Sequence, residues 1–476
     1  MPMRHRARPA ALGKILLLAL ALRLLLSLLS LLATGGDLSV FTAPDTASYL
    51  VPAGQLLHGR FSQGEQPEIF RTPGYPVMLV PGLLLGHPYM TAVLLQVGLS
   101  CLTVYLVYHI ALLIWSDHGV ALLGALLYAI EPLSIFYSSV LLTETLFAAL
   151  LSAFLYCLIE HLKTRRIVTL VASAVLLGAS AYVRPVSYHL PALVTVLLLV
   201  RLILAAPGAL RRTLFVHACL FFLVSGGVIG LWQLRNKREA GYSGFAAVGD
   251  YNLYCYNASA VIARERGISW QRARREMGCE GSDAGLHADG KDHATQFQSM
   301  GQEARKIIRK HLLTYCVIHI RGILRVLLDP GAVEYLKRFK LYPATGGNLL
   351  DMLNSQGLLP TVVYLARGKP AVFFSSVGLG FGLGAYFLLL LFGFFSGMPV
   401  RNVPLALIAC VNGWLLLVSG GPAALGRFRV PLMPAVSIMA GLGLYQVVNR
   451  CLRKLGGREP ASLDSMLSRA ASERLS

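Results

Sequence analysis

The sequence predicts an all-α polytopic membrane protein, a bundle of about ten transmembrane helices with interfacial helices in its first extracytoplasmic loop and a larger extracytoplasmic region. Two observations predict the class. Of 476 residues, 55% are hydrophobic and only 14% charged, where soluble domains carry roughly 25% charged residues. The apolar runs also far exceed the ~10 alternating residues of a barrel strand, and helices or closed barrels alone satisfy their backbone hydrogen bonds in hydrocarbon. A third observation, the placement of Lys and Arg, orients the bundle.

The first run, residues 15 to 34, follows Arg4, Arg6, Arg8 and Lys14. Signal peptides share that pattern, but the run is as long as a bilayer crossing and further spans follow at once, so an uncleaved anchor is expected. Arg23 inside it is costly unless it faces the bundle or snorkels. Further spans are expected at 89–114, 119–133, 139–160, 167–182, 188–206, 213–233, 371–396, 402–420 and 429–449. With the N-terminus in the cytoplasm, Lys163, Arg165, Arg166, Arg201, Arg211, Arg212, Arg401, Arg450, Arg453, Lys454 and Arg458 fall on the same side as the N-terminal four. Arg60, Arg71, Arg184, Arg427 and Arg429 are the exceptions in the opposing short loops. Both termini are thus expected inside the cell inner membrane and the active site outside.

This divides the chain into a transmembrane catalytic module (1–233) with its first loop at 35–88, an extracytoplasmic region (234–370), C-terminal helices (371–449) and a cytoplasmic tail (450–476). The region 234–370 carries 20 Lys/Arg against 12 Asp/Glu, and long loops escape the positive-inside rule. Residues 301–328 read as one amphipathic interfacial segment, with Ile307, Ile308, Val317, Ile320, Ile323, Leu324 and Leu327 at helical spacing among arginines and lysines. Pro76 to Gly86 is too short to span and is expected to lie in the interface or re-enter. The formal charge of +20 is scattered between apolar runs, which excludes a nucleic-acid stripe and points to membrane phosphates. Cys255, Cys279 and Cys316 share one loop, where a single disulfide is possible, and no CxxC pair suggests a metal.

Five places could carry chemistry. Asp45 precedes an apolar pattern at Tyr49, Leu50, Ala53, Leu56 and Leu57, so it is either a helix N-cap or a catalytic base held at the membrane surface. Arg71, in Phe70-Arg71-Thr72-Pro73-Gly74-Tyr75-Pro76, either touches headgroups or holds a phosphate through paired donors. Glu144 heads the fourth span among apolar residues, where a carboxylate needs a cavity or a partner. Glu131 before Pro132 reads as a helix terminus. Arg184 before Pro185, and Arg427 with Arg429 before Pro431, sit at span ends, and with Arg71 they could surround a phosphate leaving group.

In this order, Asp45 to Leu50, Arg71 to Pro76, Thr143-Glu144-Thr145-Leu146-Phe147, Val183-Arg184-Pro185, Trp232-Gln233-Leu234-Arg235-Asn236 and Arg427-Phe428-Arg429-Val430-Pro431 resemble the GT-C superfamily of polyprenyl-phosphate-dependent glycosyltransferases. The resemblance is closest to bacterial relatives of dolichyl-phosphate-mannose protein mannosyltransferases and of lipid A aminoarabinose transferase. It implies an inverting transfer of a sugar from a polyprenyl-phosphate donor to an extracytoplasmic glycan, lipid or protein. It also implies Asp45 and Glu144 as the catalytic acidic residues, Asp37 being the weaker loop candidate, and Arg71 as the ligand of the carrier phosphate; Tyr49, Arg184, Arg427 and Arg429 are expected beside them as substrate-binding residues. Two departures stand out. Asp45 is followed by Thr46 and not Glu, which argues against a protein acceptor. Glu68 lies three residues before Arg71 instead of adjacent to it, so no metal is carried over and no cofactor is expected. The competing readings are a polymerase or ligase of lipid-linked glycans and a transporter, the latter disfavoured by the absence of two-fold sequence symmetry and by charges clustered at the outer surface.

Overall fold

The computed structural model describes residues 4–64, 66–204, 208–279, 293–342, 352, 356–397 and 403–456. It is an all-α multi-pass membrane protein. In chain order, α1 (Arg4–Ala33) leads into a loop bearing α2 (Ala47–Leu56), a two-stranded hairpin of β1 (Ser62–Gln63) and β2 (Gln66–Pro67), and α3 (Gly74–Leu84). There follow α4 (Pro88–Trp115), α5 (His118–Ala129), α6 (Pro132–Tyr137), α7 (Glu144–Thr164), α8 (Ile167–Val183), α9 (Leu190–Leu204) and α10 (Ala209–Ala240). The last apolar helices are Pro370–Gly397, Val403–Val418 and Met433–Gly456.

Each of the ten apolar runs carries a helix, but among the described residues six helices are long and apolar enough to cross a bilayer. α5, α8, α9 and Val403–Val418 have 12 to 17 residues, which at 1.5 Å per residue is about 18–26 Å against a hydrocarbon core of about 30 Å. Several expected boundaries move. The run 119–133 breaks after Ala129, because Glu131 accepts from the backbone N–H of Leu133 and Ser134 and so caps α6. The fourth span begins at Glu144 and not 139, after an irregular stretch. α10 runs seven residues past 233, and residues 450–456 continue the last helix. The segment 301–328 is two helices, His293–Lys310 and Leu312–Leu328, bent by 102°. Arg401, Arg458 and the tail beyond Gly456 lie outside the described residues.

Small residues let the spans approach, as they do where lipid gives no hydrophobic drive to helix association. Gly124 of α5 faces Gly441, and a Cβ on Gly178 of α8 would lie 2.8 Å from Val228 of α10. Arg23 faces the bundle. Fully buried, it donates to Ser100 Oγ (2.7 Å) and to the carbonyls of Ala19 and Ala129 (both 3.0 Å), tying α1 to α4 and α5.

The first loop is packed, not draped. Phe41, Tyr49, Ala53, Tyr75 and Leu79 form a second core with the N-terminal end of α4 and residues 133–142. A third core joins Ile69 to Tyr242, Tyr251, Phe297 and the Cys255–Cys279 disulfide. Cys316 is free and exposed.

Arg429 departs from its expected role as a substrate-binding residue. Only 2% exposed, it gives Nη1 to the carbonyls of Val326 (2.7 Å), Leu327 (3.1 Å) and Asp329 (2.9 Å). Asp329 Oδ2 accepts in return from the N–H of Gly426 (3.0 Å). The pair clasps the end of Leu312–Leu328 to the segment carrying Arg427. Arg429→Met is expected to lower the melting temperature by several degrees, since buried carbonyls that lose their donor cost about 1–3 kcal/mol each. An unchanged unfolding temperature would remove the clasp.

Candidate active site

The site is assembled where nonhelical backbone meets the N-terminal end of α7 and the C-terminal end of α8. Residues 138–143 are held by the first loop: the Leu141 N–H donates to Phe41 O (2.8 Å) and Thr46 Oγ1 to Leu141 O (3.0 Å). From beneath, Gln96 Nε2 donates to Val140 O (2.7 Å) while Gln96 Oε1 accepts from Tyr75 OH (2.7 Å). The irregular stretch is thus bonded from both sides, as buried backbone at membrane depth requires. It delivers Glu144 beside Asp45.

Asp45 does not cap α2. Thr46 occupies the N-cap position without a side-chain cap bond, and the Asp45 carbonyl accepts from the N–H and Oγ of Ser48. Its carboxylate is held instead by two guanidinium groups: Arg71 Nη2 donates to Oδ1 (3.0 Å) and Arg427 Nη2 to Oδ2 (3.1 Å). Burial works to raise the Asp45 pKa, but Arg71 and then Arg427 outweigh it and hold the carboxyl below the ordinary carboxylate value.

The Arg71 fork spreads along the start of α2. Nε donates to Ser48 Oγ (3.0 Å), Nη1 to Tyr49 OH (3.1 Å), and the group lies 4.6 Å from the Tyr49 ring centroid. Its turn is seated by Gly74, whose Cβ, if present, would lie 2.7 Å from the Tyr182 carbonyl oxygen, leaving room for nothing larger. That close approach brings the turn to the end of α8, where Arg184 pairs with Glu144 Oε1 at 3.0 Å. Arg427 Nε stands 3.9 Å from the same oxygen, so Arg427 bridges the two carboxylates. The rings of Phe147 and Phe428 flank Arg184 at 5.8 and 5.4 Å. Glu144 Oε2 is buried without a hydrogen-bond partner.

Asp45, Arg71, Tyr49, Glu144, Arg184 and Arg427 therefore share one cluster, and Arg429 lies behind it. Asp37 is exposed and spends its carboxylate on Ser39, so it does not join them. Sequence reasoning missed Ser48, which is within Asp45 to Leu50 but only one bond of the Arg71 fork. It also missed Gln96 and Thr46, whose role depends on contacts 44 and 95 residues distant.

No protein-family model matches the chain, and no curated protein matches it in sequence. Among solved structures, the archaeal oligosaccharyltransferase AglB from Archaeoglobus fulgidus, in complex with an inhibitory peptide and a dolichol-phosphate, superposes with a TM-score of 0.51 at 13% identity. The superposition takes in 100% of this chain and 55% of that one. The fold is of the GT-C type. A second Archaeoglobus fulgidus oligosaccharyltransferase structure, tethered to an acceptor peptide containing the NVT sequon, covers 98% of this chain and 53% of its own at 14% identity and a TM-score of 0.49. The chain thus spans about half the length of these enzymes, and at such identity the likeness speaks to the GT-C fold alone.

Within that fold the five charged groups leave an imbalance: three guanidinium groups against two carboxylates give 3 − 2 = +1. A divalent cation is a poor fit, because both Asp45 oxygens already face cations. Gly74→Ala is expected to destabilise by about 1–3 kcal/mol through overpacking against Tyr182, read as a lower melting temperature, whereas Gly98→Ala, with open space around it, is not. Equal melting temperatures would show that the turn is not seated by this contact.

Proposed function

We propose that this protein is an inverting glycosyltransferase that moves a sugar from a polyprenyl-phosphate donor to an extracytoplasmic acceptor on an envelope glycan, lipid or protein. The observation that carries the reading is the Asp45 carboxylate held between Arg71 and Arg427, with a net positive charge left over beside it. Asp45 takes the proton of the acceptor hydroxyl as that oxygen forms its bond to the anomeric carbon. The bond from that carbon to the phosphate oxygen breaks, and the electron pair leaves with the phosphate toward Arg71, Arg184 and Arg427. One displacement inverts the centre. A positioned base contributes about 10²–10⁴ in rate and preorganised donors a comparable or larger factor.

An incoming phosphate competes with Asp45 for the same guanidinium donors. Binding the donor thereby loosens the base from one of its cations and raises its basicity where the acceptor arrives. Glu144, paired with Arg184, orients the arginines and takes no proton. The reading assigns no step to a metal or cofactor. It requires lipid on one side of the site and an aqueous acceptor on the other. The exposed apolar face of Leu312–Leu328, with Leu313, Val317, Ile320, Leu324 and Leu328, then rests in the outer leaflet.

Two experiments test this. With purified protein, a polyprenyl-phosphate sugar and an acceptor, Asp45→Asn is expected to lose transfer by about 10² or more at normal protein level. Because the Asp45 pKa is lowered, the free enzyme keeps its base ionised as pH falls, so kcat/KM stays flat from neutrality to about pH 4 and declines only below. Full turnover by Asp45→Asn, or a limb near pH 6–7, would give the base role to another group. A polyprenyl-pyrophosphate oligosaccharide as the sole active donor would instead favour the polymerase or ligase reading. The second experiment is topological: in a Cys316→Ser background, an impermeant maleimide labels Gln302→Cys in intact cells and not Arg212→Cys, both positions being exposed. Labelling of position 212 from outside would invert the orientation and sink the reading.

A further inference from the structure

The segment Trp232-Gln233-Leu234-Arg235-Asn236 takes no part in the cluster, yet it ends in contact with the chain that carries Arg71. Trp232, Arg235, Asn236 and Glu239 recur at helical spacing on the C-terminal end of α10. Arg235 donates from Nη1 to the Glu68 carbonyl (2.6 Å) and from Nη2 to the Phe61 carbonyl (2.8 Å). These two carbonyls mark the two ends of the β1–β2 hairpin, so one fork closes its base. Arg235 is itself fixed by Glu239 Oε2 on Nε (2.6 Å) and by the rings of Trp232 and Phe61 at 4.9 and 5.6 Å.

Glu68 continues the chain of contacts. Its side chain, 2% exposed, turns back so that Oε1 accepts from the backbone N–H of Phe70 (2.6 Å) and of Arg71 (2.8 Å). The next carbonyl, of Ile69, accepts from Ala247 (2.8 Å), and the Phe70 ring packs on Tyr251 and Phe297 at 5.5 and 5.7 Å. The backbone on which the Arg71 side chain is mounted is thus held by a transmembrane helix, a buried carboxylate and the disulfide-linked core. Burial pushes the Glu68 carboxyl up relative to an ordinary glutamate. A buried carboxylate with one oxygen, Oε2, left unpartnered is a costly way to hold a surface loop, and the other oxygen reaches only Phe70 and Arg71.

Resting on the reading of Arg71 as the phosphate ligand, we propose that Arg235 and Glu68 are positioning residues, a relay from α10 through the hairpin base to the Arg71 backbone that aims its guanidinium at the donor phosphate. Misplacement by an ångström at such a site costs up to about 10²-fold.

The test is a double-mutant cycle on the full-length protein in lipid nanodiscs, with binding of a polyprenyl monophosphate as the readout and melting temperature measured alongside. Glu68→Ala and Arg235→Met are expected to weaken binding by about tenfold each, and neither is expected to weaken it further when Arg71 is already alanine, because residues acting through one group are not additive. Should Arg235→Met fail to accumulate, Arg235→Lys replaces it, keeping the charge beside Glu239 while losing the fork to two carbonyls. Unchanged binding in both single variants, or the same loss with and without Arg71, would overturn the relay and leave these residues as scaffold. Unchanged binding in Arg71→Ala alone would overturn the phosphate role of Arg71 itself, a separate failure.

Discussion

Everything at this end of the bundle depends on charge that cannot be left alone. Five formally charged side chains, Asp45, Arg71, Glu144, Arg184 and Arg427, come from four separate parts of the chain and meet at the edge of the apolar spans, Glu144 buried and the other four half-buried. An unpaired charge there costs several kcal/mol, so each is stable only with the others in place. The pairing therefore imposes tertiary structure. The 382-residue separation of Asp45 and Arg427 is closed by a 3.1 Å bond that requires the last helices to pack against the first loop.

The irregular backbone follows from the same requirement. A continuous helix through 130–144 would carry Glu144 past the site, and the chain instead breaks at Glu131, caps α6 and runs through turns and bends to Thr143. Breaking a helix at this depth strands donors and acceptors, which here are met by Gln96, Thr46, Phe41 and Arg338. Arg338 reaches Ser139 Oγ (2.6 Å) over the Phe136 ring, so the region 234–370 lies on the same stretch. Function and its structural cost are thus met by neighbouring side chains.

The apolar runs were legible in the sequence because hydrophobic length is a local property; each of the ten carries a helix, with errors at 133, 139 and 233 where a capping carboxylate or a continuing turn overrides composition. Asp45, Arg71, Glu144, Arg184 and Arg427 were legible as charges in improbable places. What no local pattern carries is which of two similar arginines turns toward the site. Arg427 and Arg429 are separated by one residue and share the same flanking, yet one reaches Asp45 and the other three backbone carbonyls, a distinction made by the 3₁₀ turn Gly426–Leu432 and by Asp329 a hundred residues upstream. The N-cap reading of Asp45 failed for a related reason. Local geometry favours the cap by about 1 kcal/mol, and two half-buried guanidinium groups compete for the same oxygens with charge-assisted bonds that are stronger.

On the proposed reading, the surplus of one positive charge within the five-group cluster is what lets a site so thoroughly paired take an anion. Were the carboxylates equal in number to the arginines, a phosphate entering it would have to strip each cation of its partner without compensation. With three guanidinium groups and two carboxylates, an anion can bind by sharing donors, and Arg427, already divided between Asp45 at 3.1 Å and Glu144 at 3.9 Å, is the group with least to lose by turning. Arg71 differs, because its three nitrogens are committed to Ser48, Tyr49 and Asp45, and it exchanges a single carboxylate bond while the other two keep its plane. One arginine fixed and one divided is an arrangement that orients an anion and yet lets go of it, which a transfer reaction needs and a purely structural ion cluster does not.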